Sequence, residues 1–194
     1  MQFLFGLWLI SQSYAENTAE QAEYERLSIE LEKMTTKAIW NGADKRFVEL
    51  EEIGLPVQFE HFVMGAQAAQ ELGDMLECKK RLAEALEIKP KKKQIRQWYN
   101  QIDEEYGYVA LFSTSRGEAK LERVDYISSP IHSKALSFAT QSLDKKGEFE
   151  GLLPIGQYNF SGQEFQLRAG IAVHLELSPR MRRLELRKKN NKEE

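Results

Sequence analysis

Apolar and polar positions follow three different rhythms along this chain. The first fifteen residues, MQFLFGLWLISQSYA, carry no charged side chain, and Phe3 to Ile10 form an apolar run. From Ala19 to about Tyr106 apolar residues return every three or four positions, the helical period. After Gly107 they alternate one for one, the period of a strand. The expected fold class is α+β: antiparallel helices first, then a small, mainly antiparallel β-sandwich with one inserted helix.

Within the helical part, Leu27, Leu31 and Met34 mark one face of a first helix, which NGAD (Asn41–Asp44) is expected to break. Phe47, Leu50 and Ile53 mark a second, ended by GLP (Gly54–Pro56). Between Phe59 and Pro90, small residues (Ala66, Ala69, Cys78, Ala85) fall where two antiparallel helices cross closely. Gly73 suits the turn between them, and Pro90 cannot continue the second. This block, FEHFVMGAQAAQELGDMLECKKRLAEALEIKP, resembles a tetratricopeptide repeat unit at Gly73, Cys78, Leu82, Ala85 and Pro90. Its first helix departs from that family, with Phe62, Gly65, Ala66 and Ala69 in place of the usual Trp, Leu-Gly and Tyr. A further helix, KKQIRQWYNQIDEEYG, presents Ile95, Trp98, Tyr99 and Ile102, as a capping helix does. The resemblance implies a scaffold whose concave face binds a partner. A short bundle that merely supports the rest stands equally open.

In the β part, YVALFSTS (Tyr108–Ser115) puts Val109 and Leu111 on one face and Tyr108, Ala110 and Phe112 on the other. A turn at Arg116-Gly117 leads to a second strand in AKLERVDYI. Ser129 and Pro130 form an N-cap and first-turn pair, and Ile131, Ala135, Phe138, Ala139 and Leu143 share one helical face. A helix over Pro130–Leu143 is therefore expected to lie across the sheet. GEFEGLLPIGQYNF then predicts a strand through Phe149, a bend at Gly151, a tight turn at LPIG (Leu153–Gly156) and a strand with Tyr158 and Phe160 on one face. SGQE turns the chain towards Phe165 and Leu167, and RAG turns it again. Ile171, Val173, Leu175 and Leu177 alternate with Ala172, His174 and Glu176 in a last, half-buried strand. The glycines here precede a strand and no Lys-Ser/Thr, which excludes a phosphate-cradling loop.

Gly147, Phe149, Leu153, Pro154, Gly156 and Tyr158 also resemble the end of carboxypeptidase-regulatory-like (transthyretin-like) and PEGA-type β-sandwich modules, a Gly-x-Phe strand followed by Leu-Pro-x-Gly-x-Tyr. That resemblance implies an extracytoplasmic, non-catalytic module appended to another domain. The helix at Pro130 is an insertion relative to it.

Composition sets the compartment more than the chemistry. The chain has 194 residues, 42% hydrophobic and 29% charged, with net charge -3, which points to neither nucleic acid nor membrane surface as partner of the whole chain. The apolar run near the N-terminus is shorter than the ~20 residues a membrane span needs, and Ser13-Tyr14-Ala15 places small residues where a signal peptidase reads. A signal peptide cleaved after Ala15 is expected, although its first residues hold no Lys or Arg. The single cysteine, Cys78, allows no internal disulfide, which suits a bacterial periplasm better than a eukaryotic secretory route. The expected organisation is a signal peptide over 1–15, a helical domain over 16–106, a β domain over 107–179 and a basic tail over 180–194. The tail holds seven basic and three acidic residues, net +4. It leaves 20 basic against 27 acidic residues elsewhere, net -7. A solvated tail, or a weak contact with anionic lipid or polymer, is expected there, and KPKKK (Lys89–Lys93) reads as a solvated turn.

His61, His132 and His174 stand alone in the sequence, with no metal-ligand spacing, and no nucleophile motif is present. No catalytic, metal or cofactor site is assigned, and the chain is not expected to be an enzyme. The functional expectation is a non-catalytic interaction or assembly module of the bacterial cell envelope, with another envelope protein as partner. The alternative is a periplasmic binder of a small ligand or glycan through Trp98, Tyr108 and Tyr158. A hydrolase with carboxylates assembled by the fold ranks last.

Overall fold

The structure is a computed structural model that describes the backbone over residues 4–114, 119–125 and 129–177, with side chains from Thr18 onwards. The expected Arg116-Gly117 turn, the end of AKLERVDYI and the 180–194 tail lie outside the described residues.

The chain is α+β. Helix α1 (Leu4–Thr36) passes through the expected cleavage point and is followed by α2 (Trp40–Glu52). The break between them falls at Lys37–Ile39, before NGAD. Ala38 makes the turn at φ +55° with no glycine to announce it. Gly42 instead lies inside α2, where a Cβ would sit 2.6 Å from Met34 Sδ. Its missing side chain lets α1 and α2 approach. Helices α3 (Phe59–Leu72) and α4 (Met75–Ile88) form an antiparallel hairpin, and α5 (Lys93–Glu105) packs on α4. Each helix packs on the next in chain order, as in a stacked array. Leu27 and Leu50 are buried between α1 and α2, and Leu31, Phe47, Phe62 and Ala85 fill the next layer.

Helix α5 runs into strand β1 (Tyr106–Ser113) without a loop, two residues ahead of the expected strand start. Strand β2 is only Leu121–Arg123. Helix α6 (Pro130–Lys146) starts at the expected Ser129-Pro130 pair, although the Ser129 side chain makes no capping bond. Strands β3 (Glu148–Pro154), β4 (Gly156–Phe160), β5 (Gln163–Leu167) and β6 (Val173–Leu177) follow. They form two three-stranded sheets, ordered β3-β1-β6 (sheet A) and β2-β4-β5 (sheet B). All pairs are antiparallel except β1 with β6, which is parallel.

Two expectations about GEFEGLLPIGQYNF change. Gly151 does not bend the chain. It pairs with Val109 inside β3, and the Phe149 ring lies over it, 2.7 Å from where a Cβ would be. LPIG does not close a hairpin, because it carries the chain from sheet A to sheet B. The hairpin comes next: Ser161 (φ +50°) and Gly162 (φ +97°) join β4 to β5 in a two-residue turn with both central residues left-handed. Asn159 Oδ1 accepts the Gly162 N–H at 2.7 Å.

One face of sheet A packs on sheet B. Val109, Leu111, Phe149, Leu153 and Leu177 meet Leu121, Tyr158, Phe160 and Leu167, and α6 adds Ala139 and Leu143. Burying each large apolar side chain contributes about 1.5–3 kcal/mol. On the opposite face of sheet A, Tyr106 and Leu152 join Ala66, Cys78, Leu82 and Ile102 of the helices. Gly73 fastens this junction. It caps α3 at φ +90°, and a Cβ there would meet the Lys134 carbonyl of α6 at 2.3 Å. The expected boundary at residues 106 and 107 thus runs through a shared core.

Candidate interaction surface

The crossover from β3 to β4 is held from three sides. Ile155 N–H donates to the Glu105 carbonyl at 2.8 Å, where α5 ends. Arg123 Nη2 donates to the Ile155 carbonyl at 3.0 Å, and its Nε to Asp125 Oδ1 at 2.7 Å. The Tyr158 hydroxyl donates to the Pro154 carbonyl at 2.6 Å. Hydrogen bonds from Arg123 hold the Asp125 carboxyl below its usual range, and burial pushes the Tyr158 phenol up. This is architecture: apart from the enclosed and unpartnered Nη1 of Arg123, the polar groups named here bond the chain itself.

The aromatic set considered for a ligand does not converge. Tyr158 is fully buried and stacks on Phe165, with centroids 5.4 Å apart. Trp98 is half-buried against the helix–sheet core, with its Nε1 enclosed and unpartnered. Tyr108 packs at the margin of that same core, on the helix-facing side of sheet A, where its hydroxyl donates to Glu150 and its ring stands 6.0 Å from that of His174. Of the three, only Tyr158 borders the shallow cavity of about 220 Å³ on sheet B, with Val124, Gln157, Glu164, Phe165 and Gln166.

The histidines are equally scattered. His61 is buried on α3 and shares a hydrogen bond with Tyr24 of α1. His132 Nε2 lies 3.2 Å from Glu105 Oε2, and His174 is exposed on β6. No group of three or more metal-binding side chains occurs among the described residues. Arg81, buried on α4, donates from Nη1 to Asp44 Oδ1 of α2 at 2.6 Å and to the Gly65 carbonyl of α3 at 2.8 Å. Its guanidinium lies 4.4 Å from the Phe47 ring centroid. Arg81 therefore ties three helices together. The lysine run is partly anchored: Lys89 pairs with Glu60 at 2.6 Å and lies over the Phe59 ring, as does Lys92.

What remains uncovered is one end of sheet A. The helices reach Tyr106, Tyr108 and Leu152; in the next row Ala110 is still buried, and the last row, through Phe112, is open. In register, Ala110 lies between Glu150 and His174, and Phe112 lies between Glu148 and Glu176. These pairs share one face because side chains on a strand alternate. Phe112 is 40% exposed, and all three glutamates and His174 are exposed. Among the described residues none of these glutamates has a basic partner. An aromatic ring between unpaired carboxylates on a flat strand face suits a segment that brings both apolar stems and positive heads. Sequence reasoning placed Phe112 on the correct strand face but missed the patch, since only the pairing of β3, β1 and β6 assembles it.

No helix among the described residues is long and apolar enough to cross a membrane. No protein-family model, no curated protein and no solved structure matches the chain.

Proposed function

We propose that this chain is an exported, non-catalytic interaction or assembly module of the bacterial cell envelope, and that it engages another envelope protein. The observation that carries this reading is the bare end of sheet A, with Phe112 exposed between Glu148 and Glu176. Two resemblances support it: the tetratricopeptide-like block Phe59–Pro90 implies a partner-binding scaffold, and the PEGA-like stretch from Gly147 to Tyr158 implies a non-catalytic module appended to another domain. Export is supported by the apolar, uncharged start of the chain. The first buried side chain described is Tyr24, so cleavage after Ala15 would remove none of the described core.

A photo-cross-linking residue at position 112, introduced in cells, tests the reading. A discrete heavier adduct is expected at Phe112 and not at the exposed Ile29 of α1. Equal, diffuse labelling at both positions counts against it. N-terminal sequencing of the envelope-fraction protein is expected to begin at Glu16. One observation favours the ligand-binding alternative: Gln157, Glu164 and Gln166 line the sheet B cavity beside Phe165, groups suited to sugar hydroxyls and a sugar face. Titration with envelope-derived oligosaccharides, and loss of any binding in Gln166→Ala, distinguishes the two.

A further inference from the structure

The bare end of sheet A is also where the described chain leaves the fold. Strand β6 closes at Leu177, paired with Ser113, one residue beyond the row Glu148–Phe112–Glu176. Seventeen residues follow, Ser178 to Glu194, and the basic ones begin at Arg180. Three residues of chain span about 10 Å, the width of two strand spacings. Arg180, Arg182 and Arg183 are therefore within reach of both Glu176 on β6 and Glu148 on β3.

We propose that the basic C-terminal segment of this chain, from Arg180 to Lys192, is the first occupant of this face and covers Phe112 in the free protein. The inference rests on reading this face as an interaction surface. Three facts lead to it: the exit point of the chain, the opposite charges of tail and face, and an exposed ring to which a guanidinium is attracted. Exposed ion pairs are too weak to hold a free peptide. A tethered segment is present at millimolar effective concentration, which makes weak pairs sufficient. A partner presenting a basic segment would then have to displace the tail, and its apparent affinity would rise when the tail is removed.

The test uses the full chain. Cys78 is the only cysteine and is buried, so Asn190→Cys gives one reactive site for a nitroxide label without changing charge. Paramagnetic broadening of the Phe112 and Glu148 amides is expected. It should be lost in Glu148→Gln/Glu176→Gln, and lost at about 1 M salt, where the screening length is about 3 Å. Both glutamates are exposed, and an unchanged amide spectrum elsewhere shows that the variant folds. Broadening that survives both changes overturns the proposal, because tethering alone then explains it. Broadening of isotope-labelled chains mixed with spin-labelled unlabelled chains also overturns it, by making a second copy the occupant. Loss of the tail contact leaves the cross-linking expectation at position 112 standing, and a second copy is told from another envelope protein there by an adduct of twice the chain's own mass.

Discussion

The hydroxyl of Tyr24 on α1 lies 3.1 Å from Nδ1 of His61 on α3, and both residues are buried. The same hydroxyl accepts the Gln58 N–H at 3.2 Å. The hydroxyl and Nδ1 share a second hydrogen bond, whose direction follows the imidazole tautomer. This three-member chain fastens α1 to the start of α3. Tyr24→Phe keeps the ring but leaves the buried His61 Nδ1 and the half-buried Gln58 N–H without this partner. We expect a loss of about 1–3 kcal/mol, measured by denaturant unfolding.

His61 also sets a pH dependence. Burial lowers its pKa, against the weaker opposite pull of Glu60 on α3 and Glu32 on α1. The folded state thus binds this proton less readily than the unfolded chain, whose value is about 6.5. Stability from the neutral imidazole is complete above about pH 6.5 and is lost as pH falls below that value towards the lower folded one. Unfolding curves between about pH 5 and 7.5 should show this decline in the wild type. His61→Gln should flatten it. An equal slope in the variant would assign the decline to other groups.

Gly73 and Gly54 make a matched pair. Both are left-handed, at φ +90° and +81°, but a Cβ at Gly54 meets nothing within 4 Å, whereas one at Gly73 meets the Lys134 carbonyl. Gly54→Ala should cost only backbone strain, about 1 kcal/mol. Gly73→Ala adds the displacement of α6 from α3, for a total of about 2–4 kcal/mol. Thermal unfolding of the two variants reads the difference directly.

Cys78 should be silent in the folded protein. Burial pushes its thiol up to about 12. Maleimide labelling at neutral pH is expected only on unfolding, with a rate that tracks denaturant concentration. Fast labelling of the native chain would contradict the packing of α4 against α3.

Much of this architecture is written in local signals. Pro130 and Gly147 bracket α6, Gly73 marks the α3–α4 turn, and Tyr158 with Phe160 face inward as alternation requires. What escaped was non-local or unsignalled. Ala38 takes a left-handed turn that its residue type does not advertise, while the nearby glycine serves a helix crossing. The partners of LPIG could not be read, because periodicity names a face and not the strand beside it. Tyr24 and His61 are 37 residues apart, and nothing in either segment predicts their bond. The parallel pairing of β6 with β1 joins residues about 64 positions apart, and that pairing alone brings Glu176 beside Phe112.

The most direct test of the interaction reading is comparative capture from native envelope extract. The full chain is set against Phe112→Ser/Glu148→Lys/Glu176→Lys, with equal folding shown by circular dichroism and unfolding midpoint. The wild type is expected to retain a reproducible envelope protein that the surface variant loses. Recovery of the same proteins in the same amounts by both would contradict the interaction reading.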